Sequence, residues 1–393
     1  MGISLGIVGL GSFGSSFANL FMSHPLVDRI ALCDREPDRI ARFAGLDHWQ
    51  AKFHPRDAYA SLDEICASDV DALALFTQPW LHAPQAVQAM EAGKHVYSAV
   101  PIVMLPDGDE ILDWCARLVE TVESTGQSYM LGETTFYRPE AIYCRRRNQE
   151  GAFGDFVYSE GEYYHDVDSP SSNLRLVQAH RLAGQAGQEW IAARDDYINR
   201  GVLTGPMHYP THSTSGPMSV MNARALKVCA WGYANRTDDT YFNDQGYAFS
   251  NETALFQMSN GSTMRICELR EIGLHNRETF RIYGTQGSFE NDQWCDKESR
   301  TPLTPQEMRH RLPPEVEDAF RTVSRTSEVY GGHGGSHPFL VHEFVEAVHQ
   351  ERQPAIHVWS AVRYMAAGVI AHKSALKDGE ILSIPDWGDG PGA

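Results

Sequence analysis

The chain is 393 residues long, 42% hydrophobic, with a formal net charge of −18. That is enough apolar material for two cores, and a charge balance that excludes nucleic acid and anionic membrane as electrostatic partners. Seven widely spaced cysteines, with no C-x-x-C pair, exclude a disulfide framework and a cysteine zinc site and suit a reducing cytoplasm.

Residues 3–8 are a short apolar run with the character of a buried parallel strand, and they lead into Gly9-Leu10-Gly11-Ser12-Phe13-Gly14. This Gly-x-Gly-x-x-Gly predicts a dinucleotide site. Gly9 permits the tight turn, Gly11 lets backbone approach a pyrophosphate, and Gly14 lets the next helix, over residues 15–21, pack closely on the sheet. The N–H groups of Ser12 and Phe13 open the helix end that would face the phosphates. The second strand, residues 30–33, ends in Asp34, placed to accept both ribose hydroxyls and to repel a 2′-phosphate, so NAD is favoured over NADP. Arg35, next in line, can stack on adenine or hold a phosphate. The start of the chain lacks a basic stretch and cleavage site, and residue 6 is Gly6 where a myristoylation signal has Ser or Thr, so a cytoplasmic protein without a membrane partner is expected.

Strands over residues 72–76, 95–97 and 128–131 alternate with helices over 81–92 and 107–124, the pattern of a doubly wound parallel sheet. From about residue 156 the texture changes to longer β-type segments, 155–164, 225–234, 248–258, 263–268 and 279–283, with a hairpin signal at Asn260-Gly261. The expected fold is α/β: a Rossmann domain over residues 1–130, then an α/β domain over 131–393 with a large, mainly antiparallel open sheet. A final helix over 358–376 is expected to pack back on the body. Residues 168–205 form an insertion longer than a simple connection, expected to cover the site.

Gly9-x-Gly11-x-x-Gly14, Asp34, Thr77-Gln78-Pro79-Trp80-Leu81-His82 and Ala92-Gly93-Lys94-His95-Val96 together resemble the Gfo/Idh/MocA oxidoreductases over nearly the whole chain. The resemblance implies NAD(P) bound by the first domain, with Thr77, Gln78, Trp80, His82 and Pro101 around it, a sugar site on the second sheet, and a homo-oligomer. Two departures stand out. The family's Glu-Lys-Pro is Ala99-Val100-Pro101, so its catalytic lysine is missing, and the position four residues before His212 holds His208 instead of aspartate.

The NAD-dependent glycoside hydrolase branch, α-N-acetylgalactosaminidases and sulfoquinovosidases among them, shares these departures. Met130-Leu131-Gly132-Glu133, Glu160-Gly161-Glu162-Tyr163-Tyr164-His165-Asp166, Tyr209-Pro210-Thr211-His212 and Gly331-Gly332-His333-Gly334-Gly335 resemble its motifs. That resemblance implies transient oxidation at the sugar's C3, elimination across C1 and C2, water addition and re-reduction. In that cycle His212 would take the C3 hydroxyl proton and Tyr209 would serve C2 as base or relay, which requires a depressed pKa that bound NAD⁺ and the nearby histidine would provide. Strand alternation puts Tyr163 and His165 on one face, suited to leaving-group protonation or substrate contact. Glu133 stands at the carboxyl end of a parallel strand, where such sheets place ligands.

Substrate contacts are expected from Arg175, His180 and Arg181 in the insertion, from His208, and from His333 in the glycine loop; the arginines suit an anionic sugar group. No metal is expected, because a proline interrupts the His208-x-x-x-His212 spacing. A net sugar oxidoreductase and a non-catalytic NAD-binding regulator are the competing readings.

Overall fold

The computed structural model describes residues 2–170, 172–235, 238–274, 276–323 and 329–390. The first sheet has six parallel strands in the order Phe53–Tyr59, Val27–Cys33, Ile3–Val8, Ala72–Leu75, His95–Ser98 and Tyr129–Leu131. Strand order reverses beside Ile3–Val8, which opens a crevice at the carboxyl ends of the central strands. Ala72–Leu75 is buried throughout, as a strand covered on both faces must be.

Phe53–Tyr59 was not foreseen, and its exposure explains why: only Phe53 and Asp57 are buried, and it holds Pro55, which an edge strand tolerates. Gly108–Thr125 is the longest helix of this half. Asp107 caps it by accepting the Asp109 and Glu110 N–H groups, and Gly126, at φ 70°, ends it.

The second sheet has nine strands in the order Arg300–Pro302, Gln293–Asp296, Gly287–Glu290, Arg277–Gly284, Phe156–Tyr164, Thr263–Leu269, Asn251–Met258, Ala225–Tyr233 and Leu382–Ser383. Its pairs are antiparallel except Phe156–Tyr164 with Thr263–Leu269, which run parallel. Burial alternates strictly along Asn251–Met258, so one face is dry and the other wet. The dry face carries the helix Thr211–Met221. Backbone meets backbone there: a Cβ on Gly161 would lie 1.9 Å from the Ser213 carbonyl oxygen.

The two halves are joined by more than the chain. His337–His349 lies against Ser12–Ser23, and Val358–Ala375 against both Gly108–Thr125 and Ala225–Tyr233. Leu131 donates its N–H to the Ile356 carbonyl at 3.0 Å. The insertion folds as two helices, Leu174–Ala183 and Gln185–Asn199, and reaches back to the first domain. Trp190 stacks on Trp80 with ring centroids 5.0 Å apart and planes at 11°, Arg35 pairs with Glu189 at 3.1 Å, and the Tyr197 hydroxyl donates to Glu110.

The close approach at Gly161 yields a test. Gly161→Ala is expected to push the helix Thr211–Met221 off the sheet and to cost about 1–3 kcal/mol, the usual range for overpacking. Gly273→Ala, with nothing within 4 Å of the added carbon, is expected to change urea stability far less.

Candidate active site

The glycine turn has the shape that a dinucleotide requires. Gly9 sits at φ +92°, and a Cβ on Gly14 would lie 2.1 Å from the Gly9 carbonyl oxygen, so neither position admits a side chain. A Cβ on Gly11, by contrast, would meet nothing within 4 Å, and no side chain caps the helix that starts at Ser12. The first-turn N–H groups at Ser12 and Phe13 have no partner within their helix and face this open space, a fit for pyrophosphate. Asp34, 7% exposed, accepts the Leu10 N–H at 2.7 Å and the Glu36 N–H at 2.9 Å, with Arg39 at 3.5 Å. Its carboxylate is thereby fixed at the end of strand Val27–Cys33. Arg35 is turned to Glu189.

Around the crevice, Thr77 donates its hydroxyl to Gln85 at 2.5 Å. His82 is buried, and burial pushes its pKa down to about 4, so it is neutral; it donates from Nδ1 to the Pro101 carbonyl at 2.8 Å while its other nitrogen faces the Thr77 carbonyl at 3.2 Å. It therefore ties two strand ends together. Gln78 and Trp80 lie in the turn before His82, and Trp80 stacks on the insertion. Val100, where the family has lysine, is buried.

The candidate proton-transfer groups meet between the end of strand Tyr129–Leu131, the helix Thr211–Met221 and the second sheet. Glu133, fully buried, leaves strand Tyr129–Leu131 and accepts the Thr135 N–H at 2.9 Å. His212 Nδ1 donates to the same carboxylate at 2.9 Å and lies 3.8 Å from Glu278. Glu278 in turn accepts the Thr135 hydroxyl at 2.5 Å and a charged bond from Arg138 at 2.5 Å. Burial works against a charge on His212, but Glu133 and then Glu278 outweigh it and raise its pKa to about 9. Burial likewise opposes ionisation of Glu133, and His212 with its hydrogen bonds outweighs that to hold the carboxyl below the usual value. Two carboxylates thus face two cations. Ligand atoms of Glu133, His212 and Glu278 lie within 4.8 Å of one another, close enough for a metal ion, yet Arg138 and the proton on His212 already supply the positive charge.

Tyr163 and Tyr209 flank His212, with ring centroids 5.0 and 5.5 Å away. The Tyr163 hydroxyl donates to His165 Nδ1 at 2.7 Å, and burial, with the charges of Arg270 and His212, pushes His165 down to about 3, a neutral acceptor. Burial raises Tyr209 to about 12 despite the opposing charge of Arg181. Without a cofactor beside it, Tyr209 is therefore held as a phenol. His333 is exposed at a φ of 39°, its ring 6.4 Å from His212 and 6.0 Å from Phe13, and so stands between the glycine turn and the acid–base cluster.

Other expected substrate residues lie elsewhere. Arg175 is neutralised by Asp168 at 2.8 Å and Asp239 at 2.6 Å. His180 is exposed on its helix. His208 is fully buried, its Nδ1 3.1 Å from both the Thr204 hydroxyl and the Leu105 carbonyl, and its ring 4.5 Å from that of His372. Arg181 lines a cavity beside Trp80 and Trp190.

Sequence reasoning missed Glu278, Arg138, Glu268 and Arg270. Arg270 donates to Glu268 at 2.7 Å and lies 4.7 Å from the Tyr163 ring centroid; burial raises Glu268 to about 7, and Arg270 and Ser213 restrain it. A signal was there: Glu278, Tyr163, Glu268 and Glu252 are register partners in one row across four strands. Acids at inward positions of alternating strands have no reason to be there unless paired.

Residues 3–133 match the Gfo/Idh/MocA oxidoreductase family, NAD-binding Rossmann fold, and residues 250–391 match the glycosyl hydrolase 109 C-terminal domain. A glycosyl hydrolase family 109 protein of Shewanella amazonensis is 25% identical, over 96% of this chain and 84% of its own length. An alpha-N-acetylgalactosaminidase of Shewanella oneidensis is 21% identical over 98% and 85%. Levoglucosan dehydrogenase, solved with NADH and levoglucosan, shares the fold with a TM-score of 0.72 at 17% identity, covering 98% of this chain and 100% of that one.

The pairing of Glu133 with His212 sets a pH window. A histidine raised from 6.5 to about 9 contributes stability that is complete below pH 6.5 and lost as pH rises through 9. Glu133, held below 4.5, contributes stability present above that value and lost as pH falls through its folded pKa. The His212 imidazole, followed by NMR, is expected to titrate near 9 in the free protein and to fall toward the ordinary histidine value in Glu133→Gln. An unchanged His212 titration would show that Glu133 does not hold its proton.

Proposed function

We infer that this chain, which joins a Gfo/Idh/MocA NAD-binding domain to a glycosyl hydrolase 109 C-terminal domain, cleaves a glycoside by a cycle with no net redox change. The observation that carries this reading is the fate of the two carboxylates at the site. Glu133 and Glu278 both address one histidine, which leaves no pair free to flank an anomeric carbon as ordinary glycosidases require. What the site offers instead is a histidine, two tyrosines and a neutral histidine relay, groups suited to moving protons at neighbouring carbons.

When bound, NAD⁺ accepts the hydride from the sugar's C3 and returns it at the end of the cycle. His212 is protonated in the free site; a further positive charge entering the cavity opposes that protonation, and the neutral imidazole then takes the C3 hydroxyl proton. Glu133 keeps Nδ1 as the donor, so the acceptor is Nε2. The C3 ketone acidifies C2–H. Tyr209 serves C2 as base or relay, its phenol ionising only once the bound cofactor's charge lowers its pKa, while Tyr163, hydrogen-bonded to His165, donates to the departing C1 oxygen; water then adds at C1 as a proton returns to C2. The absence of lysine at Val100 fits this assignment, because tyrosine and histidine do the proton work. With Arg181 near Tyr209, an anionic glycoside such as a sulfoquinovoside is the favoured substrate class. Wide exposure of Trp231, Tyr233 and Leu255 on the wet face of the large sheet favours association of copies there, and the reduced cysteines favour the cytoplasm.

Cleavage in D₂O tests the cycle. Deuterium is expected at C2 of the released sugar, without stoichiometric NADH; a product free of C2 deuterium rules the cycle out, and NADH formed mole for mole points to a net dehydrogenase. His212→Ala is expected to suppress the first hydride transfer, and Tyr209→Phe to slow cleavage more than that step, each by about 10²–10⁴.

The cofactor assignment has its own test. NAD⁺ is expected to bind far better than NADP⁺, and Asp34→Ala to narrow the gap; equal affinities in the unaltered protein, measured by titration, would overturn the role of Asp34.

A further inference from the structure

Resting on the glycosidase reading above, we propose that the cavity between the insertion and the first domain is the subsite for an anionic substituent of the substrate, a carboxylate or sulfonate, held by Arg181. The cavity encloses about 710 Å³ of empty space, part of it open to solvent, and is lined by Trp80, Trp190, Tyr241, Tyr247, Gln178 and Arg181. Aromatic faces beside a few polar groups suit the apolar faces of a sugar ring and leave its orientation to hydrogen bonds.

Arg181 differs from the other arginines of the insertion. Arg175 is held by two aspartates, Arg194 by Asp195 at 2.8 Å, and Arg200 by Asp196 at 2.9 Å. Arg181 has no ion pair or hydrogen bond among the described residues. In a chain of net charge −18, a guanidinium left without an acid in an aromatic cavity is a vacancy for an anion. Leu105 and Thr204 also line the cavity and hold His208, one residue before Tyr209, so the cavity adjoins the segment that carries Tyr209. Trp80 belongs to the first domain and Trp190 to the insertion, so the pocket exists only because the insertion docks.

The phosphates of the cofactor are the other source of anionic groups, and the test separates the two. Wild type, Arg181→Ala and Arg175→Ala are compared with paired glycosides that differ only at C6: glucoside, glucuronide and sulfoquinovoside, with NAD⁺ affinity measured alongside. The expected result is a 10- to 100-fold rise in KM for the anionic members in Arg181→Ala, the span of one or two charged hydrogen bonds, with the neutral glucoside, NAD⁺ binding and Arg175→Ala little changed. Equal loss, or no loss, on neutral and anionic members overturns the proposal, and so does weakened NAD⁺ binding. Should no glycoside be cleaved, the glycosidase reading fails by itself. Quenching of tryptophan fluorescence by methyl glucuronide against methyl glucoside, in wild type and Arg181→Ala, then decides the subsite: selective quenching lost with Arg181 upholds it, and quenching that ignores charge overturns it.

Discussion

Three buried carboxylates and one half-buried, each paired with its own basic partner, hold the segment that carries Tyr209 and His212. Glu252 accepts the Met207 N–H at 2.9 Å and pairs with His372 at 2.7 Å; Glu268 takes the Ser213 hydroxyl and Arg270; Glu278 takes Thr135 and Arg138; Glu133 takes His212. An unpaired charge at such depth would cost several kcal/mol, so each acid fixes its partner as firmly as the partner fixes it. A hydrophobic core could hold the same helix, but it could not specify which way an imidazole faces. Here orientation is set by charge, and removing any one acid strands a cation.

This arrangement also explains how a site with so many protonatable groups keeps them distinct. His212 and His165 are neighbours in space and sit at opposite extremes: the first, between two carboxylates, holds its proton to about 9, and the second, beside Arg270 and His212 and away from acids, gives its proton up at about 3. Environments that push like groups apart define an acid and a base without different side chains. The burial that raises both tyrosines keeps them as phenols until a bound ligand changes the charge around them.

Much of this was legible in the sequence, for reasons that differ by region. The cofactor turn was readable because it depends on local backbone: Gly9, Gly11 and Gly14 are demanded by contacts within one strand–turn–helix unit. Strands with simple alternation, such as Asn251–Met258, were visible for the same reason. Phe53–Tyr59 was hidden because an edge strand obeys neither burial pattern, and Glu278 and Arg138 because their meaning comes only from register between strands far apart in the chain. Arg175 and Arg181 look alike in sequence. Only the fold shows that one has two aspartates and the other, among the described residues, none.

The staples between insertion and first domain, with the helices of residues 337–349 and 358–375 that pack on the first domain's own helices, bear on how the molecule comes apart. A boundary near residue 130 is a point on the chain, not a seam in the protein: Trp80 and the helix Gly108–Thr125 find their cover in segments that lie past residue 185. Cut there, the nucleotide-binding half would present apolar surface to water. With its two halves stapled in this way, the chain is expected to unfold as one unit, so that a nucleotide bound at the first glycine turn would stabilise the second sheet as well.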